Sequence, residues 1–141
     1  MLKFEGLEKL DLSDNKISNI DNLENANFKE LKELNLNNND ISDIKVLEKV
    51  KFEKLEKLYL RSNKISNIEI LENVNLKELK ELNLNNNNIS DIKILEKVKF
   101  EKLEILYSSK NKISDIKILE KVNFKELKKL DLYHNNRKCK F

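Results

Sequence analysis

A 24-residue arrangement of apolar and asparagine positions returns from one end of this chain to the other, with no insertion or deletion between copies. The unit is clearest from Leu31 to Lys54, LKELNLNNNDISDIKVLEKVKFEK, and its first leucine recurs at Leu7, Leu31, Leu55, Leu79, Leu103 and Leu127. A later leucine column runs through Leu12, Leu36, Leu60, Leu84 and Leu132, with Ser108 as its one exception, and an asparagine column through Asn15, Asn39, Asn63, Asn87, Asn111 and Asn135. Isoleucines follow, as at Ile41 and Ile44, then Leu47, Val50 and an aromatic column of Phe28, Phe52, Phe100 and Phe124, in which Leu76 stands once. A fixed period of this length is the signature of a solenoid, where each unit buries its apolar side against its neighbours.

Within the unit, Leu34 and Leu36 alternate with Glu33, Asn35 and Asn37, the period of a strand buried on one face only. Further on, Ile44, Leu47 and Val50 fall at intervals of three among Lys and Glu, which predicts a short 3₁₀ or brief α turn, with Ser42 or Asp43 as its N-cap. The phenylalanine after each turn is expected to fill the inner corner before the next strand. The asparagine column has its own cause. Where the chain leaves the strand, backbone groups turn inward without a partner in the same repeat, and a carboxamide can donate to one and accept from another. Stacked copies would form a ladder, so these six asparagines read as scaffold.

The run LxxLxLxxNxI, as in Leu31, Leu34, Leu36, Asn39 and Ile41, resembles the leucine-rich repeat family over nearly the whole chain. The resemblance implies an α/β solenoid: a horseshoe with about six short parallel strands on its concave side and short 3₁₀ or α turns on the convex side. It implies one continuous array over residues 1–141, the last repeat incomplete. The NxIxxIxxL run is similar to the intracellular class that includes the leucine-rich regulatory subunit of type-one protein phosphatases, with a unit here two residues longer. Secreted members usually carry cysteine-rich caps, so the lone Cys139 points to the cytosol or nucleus.

Charged residues make up 38% of the chain, yet the net charge is only +3 because Lys and Glu are mixed along the outer turns. A nucleic-acid binder clusters its cations on one surface, and Arg61 and Arg137 are the only arginines. No nucleic-acid role is expected. No apolar run approaches a membrane span, and the opening residues MLKFEGLEKL belong to the repeat, so no membrane role is expected either.

Catalytic constellations are absent from the pattern. Triad chemistry needs nucleophile, base and orienter together, and His134 is the only histidine. His134 with Cys139 supplies only two zinc ligands of the usual four. The turn from Asn37 to Asp43 lacks the glycine and bidentate Glu of a calcium loop. Gly6 is the single glycine, which rules out the usual phosphate-cradling motifs. Cys139 between Lys138 and Lys140 reads as an incidental thiol, and the Asn88, Ile89, Ser90 sequon matters only in a secreted protein. No cofactor, metal or enzymatic activity is expected.

Specificity is then left to the strand positions that face away from the core. They vary in a pairwise rhythm, as if the array had grown by copying 48-residue pairs: repeats two and four show Glu33, Asn35, Asn37, Asn38 and Glu81, Asn83, Asn85, Asn86, while repeats three and five show Lys57, Tyr59, Arg61, Ser62 and Ile105, Tyr107, Ser109, Lys110. The candidate partner-binding set on the concave face is Tyr59, Arg61, Tyr107, Lys110, Lys57 and Ile105, with Tyr133 from the last repeat. Tyrosine and arginine are the residues most often found at interface hot spots. The expected function is a non-enzymatic scaffold that holds a protein partner. Its rivals are a recognition segment of a larger surface or secreted pathogen protein and the substrate-reading arm of a multidomain enzyme. Neither end shows a polar cap, so a piece of a longer array is expected, with a monomer or end-to-end self-association as the assembly states.

Overall fold

The computed structural model describes residues 4–136. Arg137 and Cys139, singled out above, lie outside the described residues. Six three-residue strands follow one another: β1 Lys9–Asp11, β2 Glu33–Asn35, β3 Lys57–Tyr59, β4 Glu81–Asn83, β5 Ile105–Tyr107 and β6 Lys129–Asp131. They form one parallel sheet in chain order, each in register with the next, so that Leu10, Leu34, Leu58, Leu82, Leu106 and Leu130 lie side by side. The opposite side of the coil carries five 3₁₀ turns, Asp21–Asn25, Lys45–Glu48, Glu69–Glu72, Lys93–Glu96 and Lys117–Glu120. The expected solenoid of strands and short turns is what forms.

Sequence alternation becomes burial directly. Leu34, Leu58 and Leu82 are fully buried at the middle of their strands, while the residues on either side are half-buried. Leucines, isoleucines and valines of successive repeats join into one core running along the array. Phenylalanine fills the corner before the next strand: Phe28 lies 6.0 Å from Phe4 and 6.4 Å from Phe52, stacked nearly parallel to each, and Phe100 stacks on Phe124 at 6.0 Å. Leu76 separates the two stacks, buried like Phe52 and Phe100 on either side of it.

Each strand ends in a turn whose third residue takes a left-handed backbone. Asp14, Asn38, Ser62, Asn86, Lys110 and His134 have φ between 53° and 56°. Asp, Asn and His are the non-glycine residues that most often adopt this region, whereas Ser62 and Lys110 bear more of its steric cost.

The asparagine ladder then locks the turn. Asn63 donates from Nδ2 to the carbonyl of Leu36 in the preceding repeat at 2.9 Å and to that of Leu60 in its own at 3.1 Å. Its Oδ1 accepts the Ile41 N–H of the preceding repeat at 3.0 Å. Asn39, Asn87 and Asn111 repeat the pattern, all buried. Asn135 accepts from Ile113 at 3.1 Å and donates to Ser108 at 2.8 Å. Asn15 differs: it is exposed and its Nδ2 reaches only Leu12 and Ser13 of its own repeat.

The expected N-caps need correcting. Position N-cap is held by Ile20, Ile44, Ile68, Ile92 and Ile116, with no side-chain cap bond. Ser42 does not cap. Asp43 acts from one residue further out, its carboxylate accepting the Lys45 N–H at 2.8 Å, and Asn19, Asn67, Asp91 and Asp115 do likewise. The isoleucine must point inward for the core, so the capping oxygen comes from its neighbour.

Ser108 breaks the leucine column, and its buried hydroxyl has no hydrogen-bond partner. Burying an unpaired hydroxyl costs stability that alanine would not. Ser108→Ala should therefore stabilise the protein by about 1 kcal/mol in urea unfolding. Asn87→Ala, which strands carbonyls of two repeats and the Ile65 N–H, should cost about 1–3 kcal/mol, while Asn15→Ala should cost less than about 0.5 kcal/mol. Equal losses at Asn87 and Asn15 would contradict the ladder.

Candidate recognition face

The sheet brings Lys57, Tyr59, Ile105 and Tyr107 onto one surface. Register places Tyr59, Asn83, Tyr107 and Asp131 in one row across four strands, and Lys57, Glu81, Ile105 and Lys129 in the row beside it. The two tyrosines thus stand two strands apart, about 9.6 Å at the usual strand spacing. Both are half-buried. Arg61 is exposed just beyond β3, and Lys110 sits on the left-handed turn after β5, also exposed. Tyr133 falls in the row of Arg61 and Ser109 rather than in the tyrosine row. It is 70% exposed, with its ring edge-on to His134 at 4.2 Å.

Each tyrosine is set by a residue of the following strand. The Tyr59 hydroxyl donates to Glu81 Oε2 at 3.1 Å. Burial pushes this phenol well above the usual tyrosine range, and the Glu81 carboxylate adds to the effect because it repels a phenolate. Tyr107 has the opposite partner: the Lys129 ammonium lies 4.8 Å from the ring centre and donates to its hydroxyl at 3.4 Å. Glu81 and Lys129 were not singled out from the sequence. The signal was available as the same 22-residue offset from each tyrosine.

The tyrosines also change how the chain turns. In the repeats with Asp or Asn at the strand's end, that side chain accepts the N–H two residues on: Asp11 from Ser13 at 3.0 Å, Asn35 from Asn37 at 3.1 Å, Asn83 from Asn85 at 3.1 Å and Asp131 from Tyr133 at 3.0 Å. The bonds from Ser13 also hold the Asp11 carboxyl below the usual range. A tyrosine cannot make this bond. Instead the preceding repeat reaches across, Asn37 Oδ1 accepting the Arg61 N–H at 2.7 Å and Asn85 Oδ1 the Ser109 N–H at 2.6 Å.

The outer side offers a second surface. A shallow depression enclosing about 1670 Å³ runs along the 3₁₀ turns of four repeats, with Ile70 and Ile118 half-exposed on it, and Ser66, Asp91, Glu96 and Lys97 among the polar residues around them. Charge mixing there and along the loops takes the form of ion pairs between neighbouring repeats, such as Lys54 with Glu30 and Lys102 with Glu78, both at 2.6 Å. Among the described residues, no group of three or more His, Cys, Asp or Glu is placed to hold a metal ion, and no helix is long and apolar enough to cross a membrane.

The model of paired leucine-rich repeats matches residues 5–49 and 53–97. The chain belongs to the leucine-rich repeat family. Among solved structures it is similar to a Leptospira interrogans leucine-rich repeat protein, with 26% identity and a TM-score of 0.73 over 92% of this chain and 32% of that one. An internalin from Listeria monocytogenes matches with 26% identity and a TM-score of 0.68 over 88% of this chain and 35% of that one. Internalin C2 from the same organism matches with 28% identity and a TM-score of 0.63 over 92% of this chain and 62% of that one. The chain thus spans about a third of the length of the first two. A search of curated proteins returned no match. Leucine-rich repeat proteins generally mediate protein–protein interaction, and the fold typically serves as a non-enzymatic scaffold.

An alkaline titration followed by tyrosinate absorbance should contain one component that ionises above the usual tyrosine range, and Tyr59→Phe should remove it. An unchanged profile in the variant would assign the late step elsewhere.

Proposed function

We propose that this leucine-rich repeat array is a non-enzymatic interaction module that holds a protein partner on its sheet face, with Tyr59 and Tyr107 as anchors and Lys57, Arg61, Ile105, Lys110 and Tyr133 around them. The observation that supports this reading most is the pair of compensating asparagines. An Asp or Asn at the strand's end satisfies the turn within its own repeat, as Asn35 and Asn83 do. At Tyr59 and Tyr107 that local bond is given up, and Asn37 and Asn85 of the preceding repeats replace it. Turn formation alone gives no reason for tyrosine at these positions. What tyrosine adds is a large, stiff, amphipathic surface, the property that makes it frequent at interface hot spots.

The site's chemistry fits a partner that presents both apolar and hydrogen-bonding groups. The rows carry both signs of charge, Lys57 and Lys129 against Glu33 and Glu81, and Ile105 supplies an aliphatic patch beside Tyr107. The lone Cys139 supports an intracellular setting for this reading. A second reading, a recognition segment within a larger surface or secreted protein, draws support from the length comparison, since the chain covers only 35% and 32% of two of its structural neighbours. A secretion signal in the extended reading frame would favour the second.

The test uses the whole chain as bait, identifies the captured protein, and measures its affinity for variants. Tyr59→Ala and Tyr107→Ala should each weaken binding about tenfold or more, as hot-spot truncations of ~1.4–2 kcal/mol do. Ser66→Lys in the outer depression should leave affinity unchanged. Full affinity in the double tyrosine variant, with loss on the outer side, would move the binding surface to the turns.

A further inference from the structure

Two kinds of contact alternate along the array; ion pairs occur at both, as Lys64 with Asp40 at 2.6 Å between repeats two and three shows, but the rows that meet differ. Between repeats one and two, three and four, and five and six, a glutamate in the row before the strand pairs with a lysine of the next repeat: Glu8 with Lys32 at 2.9 Å, Glu56 with Lys80 at 3.0 Å and Glu104 with Lys128 at 2.8 Å. At the end of the unit, Glu30 pairs with Lys54 and Glu78 with Lys102 in the same order. Across these junctions Asn38 donates to Asp14 and Asn86 to Ser62, and Tyr59 and Tyr107 meet Glu81 and Lys129.

Between repeats two and three, and four and five, the Asn37 and Asn85 carboxamides accept the Arg61 and Ser109 N–H groups. Ser109 is buried, so its N–H has no ready access to water. Alternation is strict in the charge rows. Read across the sheet they run Glu8, Lys32, Glu56, Lys80, Glu104, Lys128 and, in the other row, Glu30, Lys54, Glu78, Lys102, Glu126, so within these two rows no like charges stand on neighbouring repeats, in contrast to the outer-turn column of Glu24, Glu48, Glu72, Glu96 and Glu120.

We infer that these are two non-interchangeable interfaces, and that the 48-residue pair, not the single 24-residue repeat, is the unit in which the array can be lengthened, shortened or rearranged. Each repeat accepts only a neighbour of the other kind on both of its sides. The tyrosines travel with this code. A tyrosine repeat needs an Asn37-type repeat before it to satisfy its turn, so tyrosines cannot occupy adjacent strands and recur no closer than about 9.6 Å, two strand spacings. A partner gripping two of them must therefore match that step.

Permutation of the whole chain tests the code at constant length and composition. Exchanging residues 55–78 with 103–126 swaps like for like and keeps the alternation. Exchanging 55–78 with 79–102 places Lys32 beside Lys80, Glu56 beside Glu104 and Lys54 beside Lys102, and sets Arg61 in front of Ser109, whose N–H then has no acceptor. The first variant should melt within about 3 °C of the native order, and the second about 5 °C or more lower. At about 1 M NaCl, where charges are screened beyond ~3 Å, the gap should narrow and persist, because the lost hydrogen bond remains lost. Equal melting of the two permutations overturns the inference, and so does failure of both to fold, since like repeats would then not be interchangeable. A gap that vanishes at high salt removes the hydrogen-bonded half of the code.

Discussion

The structure depends on one exchange of hydrogen bonds. At each turn leaving the sheet, backbone carbonyls and an N–H point into the coil, where water cannot reach them, and the Asn39, Asn63, Asn87 or Asn111 side chain satisfies groups on both sides of the repeat junction. A leucine there would pack but leave those groups orphaned, at a cost of about 1–3 kcal/mol for each junction. Because the bonds cross junctions, no repeat is satisfied alone. The core makes the same demand, since Leu34, Leu58 and Leu82 belong to one apolar cluster that runs through successive repeats. Cooperativity between neighbours is the result.

Outside the core, this coupling leaves two freedoms. Exposed residues of the outer turns need only be polar, and Lys and Glu meet that condition, in places through exposed ion pairs such as Lys49 with Glu24 and Lys97 with Glu72 that individually contribute little. The outward strand positions need only fit a pleated surface and close the turn. The second requirement is less permissive than it looks: Asp or Asn closes the turn locally, and any other residue requires help from the repeat before. Tyr59 and Tyr107 have that help.

Much of the fold was legible in the sequence because a strict period converts any local signal into six repetitions of it. Strand, turn, phenylalanine corner and asparagine ladder all follow from spacing. The N-cap was not legible in detail, since Asp43 and Ile44 compete for one position and only the demands of the core decide that isoleucine takes it. The candidate face was half legible. Tyr59 and Tyr107 stood out as departures from Asn35 and Asn83, but the partners that orient them, Glu81 and Lys129, and the compensating Asn37 and Asn85, lie 22 or 24 residues away. Such contacts depend on which rows the register brings side by side. The orphan hydroxyl of Ser108 was visible as an exception, yet its isolation is a fact of packing.

The aromatic spine has a gap. Flat rings at Phe4, Phe28 and Phe52 lie nearly parallel, and those at Phe100 and Phe124 form a second stack. Offset stacked rings add about 0.5–1.5 kcal/mol per pair beyond their burial, whereas Leu76 between the stacks adds burial alone. The aromatic contribution between repeats is therefore missing at the midpoint of the array. Tyr59 stands before that gap in the spine and Tyr107 after it, so the two anchors of the candidate face are backed by different aromatic stacks.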